Sequence, residues 1–178
     1  MDYSAGDFET SPITFKITKI EVLNDYLTGT LSQTPGTAAV DAIAWSGITA
    51  ESTAVHEAFS GEKAVAVEAV DCGEALYLLP QPVDHGDGNK KVTVNVTYTA
   101  SFSNGHSVTN TVSAELDKAM TAATEDTPAA AIPQWDPNKQ YVYTIVLSYE
   151  GIWFIVEVDE IVEYYYGMEG YDDYKVVL

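Results

Sequence analysis

Trp135-Asp136-Pro137-Asn138-Lys139-Gln140-Tyr141-Val142-Tyr143-Thr144-Ile145-Val146-Leu147-Ser148-Tyr149-Glu150-Gly151-Ile152-Trp153-Phe154-Ile155-Val156-Glu157-Val158-Asp159 holds two apolar rows of period two on either side of a short break. Tyr141, Tyr143, Ile145 and Leu147 fall on alternate positions, and so do Ile152, Phe154, Val156 and Val158. A period of two puts each set on one face of a strand. The spacing therefore predicts strands over 140–148 and 152–159, joined at Tyr149-Glu150-Gly151, which is hairpin length. Pro137-Asn138 supplies the turn that launches the first strand, since Asn tolerates a left-handed backbone. Trp135 is placed to cap one end of a core.

The same period recurs upstream. Val92, Val94, Val96 and Tyr98 share a face within 91–102, and Asn104-Gly105 then signals a tight hairpin of type I′ into 107–116. Phe15 and Ile17 hold odd positions, whereas Ile20 and Val22 hold even ones, so a bulge is expected near Lys19. Asn24-Asp25 reads as a turn into a strand over 26–31, and 42–45 is a short apolar run. Further strands are expected over 64–70 and 74–79, the second stopped by Pro80-Gln81-Pro82. A Gly-rich turn follows over 84–89. Short helical turns are expected near 51–59 and 114–122. About ten short, turn-bounded strands without a long amphipathic helix argue for an all-β sandwich. The expected organisation is an N-terminal tail over 1–12, one domain over 13–159, and over 160–178 either a C-terminal extension or an edge or donor strand.

Length and charge narrow the function. A chain of 178 residues can bury one sizeable core. It carries 27 acids against eight basic residues, all of them lysine, for a net charge of −19. That field repels phosphate and anionic lipid, which argues against a nucleic-acid partner. The lack of arginine removes the usual bidentate clamp for anionic substrates. No calcium-loop spacing is present, although 84–89 bears a superficial likeness to one. No apolar run is long enough to span a membrane. The start at Met1 has neither a basic region nor an apolar one, so the chain is either intracellular or has lost a targeting segment.

No catalytic motif emerges. His56, His85 and His106 fall in expected loops, far apart and without metal-ligand spacing. Cys72 stands alone beside an apolar run and reads as a small buried hydrophobe. No cofactor is implied, and the chain is not expected to be an enzyme. The aromatics are more informative. Tyr141, Tyr143, Trp153 and Phe154 lie on adjacent strands and support a sheet. Tyr164-Tyr165-Tyr166, followed by Tyr171 and Tyr174, cannot all face one way along a strand, so at least one must meet a partner, a sugar or a second layer.

The order of these features resembles the fimbrillin-like proteins of Bacteroidetes, the major and minor fimbrium subunits and their relatives. The features are Leu76-Tyr77-Leu78-Leu79-Pro80-Gln81, the valine strand ending in Tyr98, and Trp135-Asp136-Pro137-Asn138-Lys139-Gln140-Tyr141-Val142-Tyr143-Thr144-Ile145. The resemblance covers 13–159, with Asn138 standing where the family usually has Gly. It implies a transthyretin-like Greek-key β-sandwich, exported as a lipoprotein with its lipid anchor on a segment absent here, and joined to its neighbours by strand exchange. Two departures stand out: the family's structural members usually have two such domains, and their maturation commonly cuts after arginine.

The expectation is therefore a structural or adhesive protein at the cell surface, the outer membrane or outside the cell. Its partners would be other fimbrial subunits or host or bacterial surface ligands. Ile161, Tyr164, Tyr166, Tyr171, Tyr174, Val176 and Leu178 are the assembly or recognition candidates, and Tyr174, Val176 and Leu178 alternate as a donated strand requires. The alternative is a monomeric extracellular module that binds carbohydrate or peptide through exposed tyrosines.

Overall fold

A computed structural model gives the fold. It describes residues 13–33, 43–49, 55–66, 69–72, 75–86, 90–123, 126–137, 139–148 and 151–160. The described chain is all-β. In order it forms β1 (Thr14–Leu23), β2 (Thr28–Gln33), β3 (Ile43–Thr49), β4 (Val55–Ala64), β5 (Gln81–Pro82), β6 (Thr93–Ser101), β7 (Ser107–Glu115), β8 (Met120–Thr121), β9 (Gln134–Trp135), β10 (Lys139–Ser148) and β11 (Gly151–Glu160).

One sheet has the order β4-β1-β6-β7, and a second has the order β10-β11-β8. β2 pairs with β3 and β5 with β9 in two small ladders. All pairings between strands are antiparallel except that of β11 with β8. The two larger sheets share one core. Ile17, Ile20, Val22, Val94 and Val96 come from the first sheet, and Val156 comes from the second. Tyr141, Tyr143, Ile145 and Leu147 pack against that cluster as the period-two reading requires. One end is closed by Val83, Val92, Leu116, Ala119, Ile132 and Trp135, so Trp135 does cap the core.

The bulge expected near Lys19 is present. Both ladders of β1 shift register between Ile17 and Lys19. The shift keeps Phe15 and Ile17 on the same face as Ile20 and Val22, because one extra residue restores the phase that the numbering loses.

Several expectations need correction. The helical turn near 51–59 is the strand β4 from Val55 onward; its ladder with β1 has a second irregularity between Ile20 and Glu21, which breaks the alternation that would have marked it. The strand expected over 64–70 ends at Ala64, although the Val65 N–H still donates to Phe15 O at 2.9 Å. The stretch 75–80 forms no ladder; only Gln81 and Pro82 pair, with Trp135 and Gln134. Prolines 80 and 82 lack the N–H that a longer ladder would use. The helix near 114–122 shrinks to one 3-10 turn over Leu116–Lys118, because β7 runs on to Glu115.

The hairpin at Asn104-Gly105 has a different turn from the one expected. Gly105 alone of the pair has positive φ, at 83°. The Gly105 N–H donates to Phe102 O (3.0 Å) and the Phe102 N–H to His106 O (2.9 Å). A type I turn followed by a left-handed glycine fits this pattern. Finally, the aromatics of β10 and β11 do not oppose one another. Tyr141 pairs with Val158, Tyr143 with Val156, Ile145 with Phe154 and Val146 with Trp153.

Candidate functional site: open strand edges and a buried carboxylate

The assembly candidates Ile161, Tyr164, Tyr166, Tyr171, Tyr174, Val176 and Leu178 lie outside the described residues. β11 runs to Glu160, which pairs with the start of β10 at Lys139. β10 pairs with β11 on one side, and among the described strands none pairs on the other. Its ten residues form an unbroken register with β11 from Lys139↔Glu160 to Ser148↔Gly151. An edge of that length presents a row of main-chain donors and acceptors to an incoming strand. The core-facing Tyr141, Tyr143, Ile145 and Leu147 are only half-buried, so such a strand would also cover apolar surface.

Tyr141 and Tyr143 are anchored by the segment that precedes β10. Trp135 Nε1–H donates to the Tyr143 hydroxyl at 2.6 Å, and the Asp136 N–H donates to the Tyr141 hydroxyl at 2.7 Å. Burial pushes the Tyr143 phenol up to about 12, against the opposing effect of the Trp135 hydrogen bond. The folded chain then holds this proton more tightly than the unfolded chain, which releases it near 10. Stability conferred by the neutral phenol is thus expected to fall as pH rises from 10 towards 12. Equilibrium unfolding across that range checks it, and a Tyr143→Phe variant should show a shallower decline.

The sequence reading missed a polar cluster at the other end of β1. Asn24 has φ 64°, and the turn it makes aims Asp25 inward, where the residue is 1% exposed. The β1–β4 register sets His56 opposite Val22, and His56 Nε2 lies 2.9 Å from Asp25 Oδ2. Neither atom is aligned for a hydrogen bond, so the contact is mainly electrostatic. Burial raises the Asp25 carboxyl above the usual carboxylate range; His56 and then His85 pull the other way. His85 stacks on Tyr26 with ring centroids 3.8 Å apart, and its own burial lowers its pKa.

The surrounding backbone is clamped as well. Gln81 accepts from the Tyr26 N–H (2.5 Å) and donates to Tyr26 O (3.3 Å) and Leu79 O (3.1 Å). Asn24 Nδ2–H donates to Lys91 O at 3.1 Å. Two of the three histidines are therefore structural rather than solvated loop residues, and His106 stays exposed at the hairpin turn. Among the described residues no group of three or more His, Cys, Asp and Glu is placed to hold a metal ion. Cys72 is half-buried against the core, and burial pushes its thiol up.

The lysines serve the acidic surface. Lys91 Nζ lies 2.5 Å from Asp117, 3.3 Å from Asp84 and 3.9 Å from Glu115. Lys16 pairs with Glu62, Lys19 with Glu21 and Glu57, and Lys118 with Glu115. The outer face of β6 and β7 is a ladder of polar side chains instead. Thr97 faces Thr111 and Thr99 faces Thr109, each at 2.9 Å between hydroxyls, and Ser113 donates to Asn95 Oδ1 at 2.6 Å.

These features define an all-β protein in which β10 and β7 each have an edge that no described strand covers. No family model, no curated protein and no solved structure matches the chain. No helix among the described residues is long and apolar enough to cross a membrane.

Proposed function

We propose that the chain is a fimbrillin-like subunit with a structural or adhesive role, joined to other subunits at the cell surface by β-strand addition. The observation that carries this reading is the edge of β10 that no described strand pairs with, with its half-buried inward row Tyr141, Tyr143, Ile145 and Leu147. An added strand supplies main-chain hydrogen bonds along the edge, and its alternate side chains cover that row. The motif order around Pro80 and Trp135 supports the same reading. The donor is the tail 161–178, whose Tyr174, Val176 and Leu178 alternate.

A chain ending at Asp159 tests this. Light scattering should find the full chain assembling with concentration and the shortened chain monomeric yet folded. Equal assembly by both removes the tail as the donor. A monomeric full chain that binds an oligosaccharide on a glycan array would favour the carbohydrate-binding alternative.

A further inference from the structure

β7 is a further edge that no described strand pairs with on its outer side, and its ladder with β6 fixes which backbone groups point outward. The Phe102 N–H bonds to His106 O, and the Leu116 N–H bonds to Val92 O, each at 2.9 Å. Between them the register runs unbroken from Ser101↔Ser107 to Thr93↔Glu115. Antiparallel ladders alternate, so the even-numbered backbone groups of β7 point at β6. Those of Ser107, Thr109, Thr111 and Ser113 point outward. The Thr111 N–H confirms the direction, because it leaves the ladder and donates to Asn110 Oδ1 at 3.0 Å.

This edge is undefended by the devices that sheets normally use. The opposite edge of the same sheet, β4, carries Glu57, Glu62 and Lys63, a Gly61 at φ 153° and two register irregularities. From Ser107 to Ala114, β7 has no charge, no proline and no bulge, in a chain whose net charge is −19. Val108, which points to the core side, is 55% exposed. The far end of β7 leads through the 3-10 turn into β8 of the other sheet, so the open part is 107–113.

We propose that β7 is a self-pairing edge, on which a second copy of this chain docks its own β7 antiparallel about a two-fold axis at Asn110. In that register the inward face sets Val108 against Val112 of the second copy, and the outer face sets Thr109 against Thr111. On either side of the Asn110 pair at the axis, apolar meets apolar and hydroxyl meets hydroxyl, which is the self-complementarity an isologous contact needs. The two first sheets join into one continuous sheet, and the threonine ladder continues across the axis. The uncharged edge is where two chains of −19 repel least, so added salt strengthens the contact by screening the rest. So short an edge buries less than the roughly 1,200 Å² of lasting complexes, so the dimer is weak and concentration-dependent. This pairing does not depend on tail donation at β10, since it uses neither β10 nor the tail.

Sedimentation velocity of the full chain, over a range of concentration and ionic strength, is the first measurement. A dimer that grows with both is expected, and a monomer under all conditions overturns the proposal. Thr109→Pro removes an outward N–H and no ladder bond, so it should abolish the dimer and leave the circular dichroism unchanged. A folded Thr109→Pro chain that dimerises normally overturns the proposal, and so does a dimer lost only when 160–178 is removed. The geometry has its own readout, which needs no proline. Asn110 opposes itself as a non-hydrogen-bonded pair with Cα atoms about 4.5 Å apart, within disulfide reach. Cys72→Ser/Asn110→Cys should therefore oxidise to a covalent dimer, and failure of the folded variant to cross-link overturns the register.

Discussion

Trp135→Ala is expected to destabilise the chain by about 3–5 kcal/mol, within the range for emptying a buried aromatic site. Trp135 is 8% exposed and closes the core with Val83, Val92, Leu116 and Ile132. Its indole also donates to the Tyr143 hydroxyl, and its backbone pairs with Gln81. Gln81 in turn clamps Tyr26, so the hole opens beside the contact that ties three segments together. Thermal unfolding should show a drop of about 10 °C for a chain of this length. Trp135→Phe keeps most of the ring and removes only the N–H, and should cost about 1–2 kcal/mol. If both variants cost under about 1 kcal/mol, Trp135 is not the plug the packing makes it.

His56→Ala is the second large effect. Removing the partner of a buried carboxylate leaves it uncompensated, and costs about 3 kcal/mol when the site cannot rehydrate. Asp25 is in that position: it is almost wholly enclosed, with His56 Nε2 2.9 Å from its Oδ2. The loss should depend on pH. An acid whose folded pKa lies above its unfolded value holds its proton more tightly when folded, so stability rises as pH falls through the folded value. Burial already raises Asp25, and His56 opposes that rise. Without His56 the carboxyl rises further, so the deficit of the variant should be largest near neutrality and shrink in acid. Urea titrations of both chains at neutral and acidic pH measure it. A deficit that grows as the pH falls would contradict this account. His56→Ala/Asp25→Asn should recover much of the stability, because the charge is gone from both sides.

The sequence disclosed elements where a single period survives. β6 and β10 read cleanly because their alternation runs unbroken through Val92–Tyr98 and Tyr141–Leu147. The bulge in β1 was legible because the apolar residues change from odd to even numbers at a definite point. β4 was not, since its own irregularity falls beside Phe59 and its polar residues imitate a helical turn. The stretch 75–80 kept the core contacts of Leu76 and Leu78 but not the ladder, because burial is written in the side chains and pairing in the N–H groups that proline lacks. Asp25 and His56 could not be joined from sequence. One sits in a turn and the other in a strand whose register alone brings them together. The β10 edge was legible as a strand but not as an edge, which is a property of what lies beside it.

The central position of β1 has a consequence for how the chain comes to be folded. Thr14 pairs with Ser101 and Lys16 with both Ala64 and Thr99, so β1 gains its second partner, β6, only once the chain has been made as far as Ser101. Such long-range closure slows folding, because chain entropy must be lost before the contacts can repay it. During synthesis Phe15, Ile17, Ile20 and Val22 emerge as an apolar strand with two open sides and wait there. That interval, rather than the finished domain, is where the chain is most exposed to misassembly. The high negative charge then serves a second purpose, keeping nascent copies apart until β6 arrives.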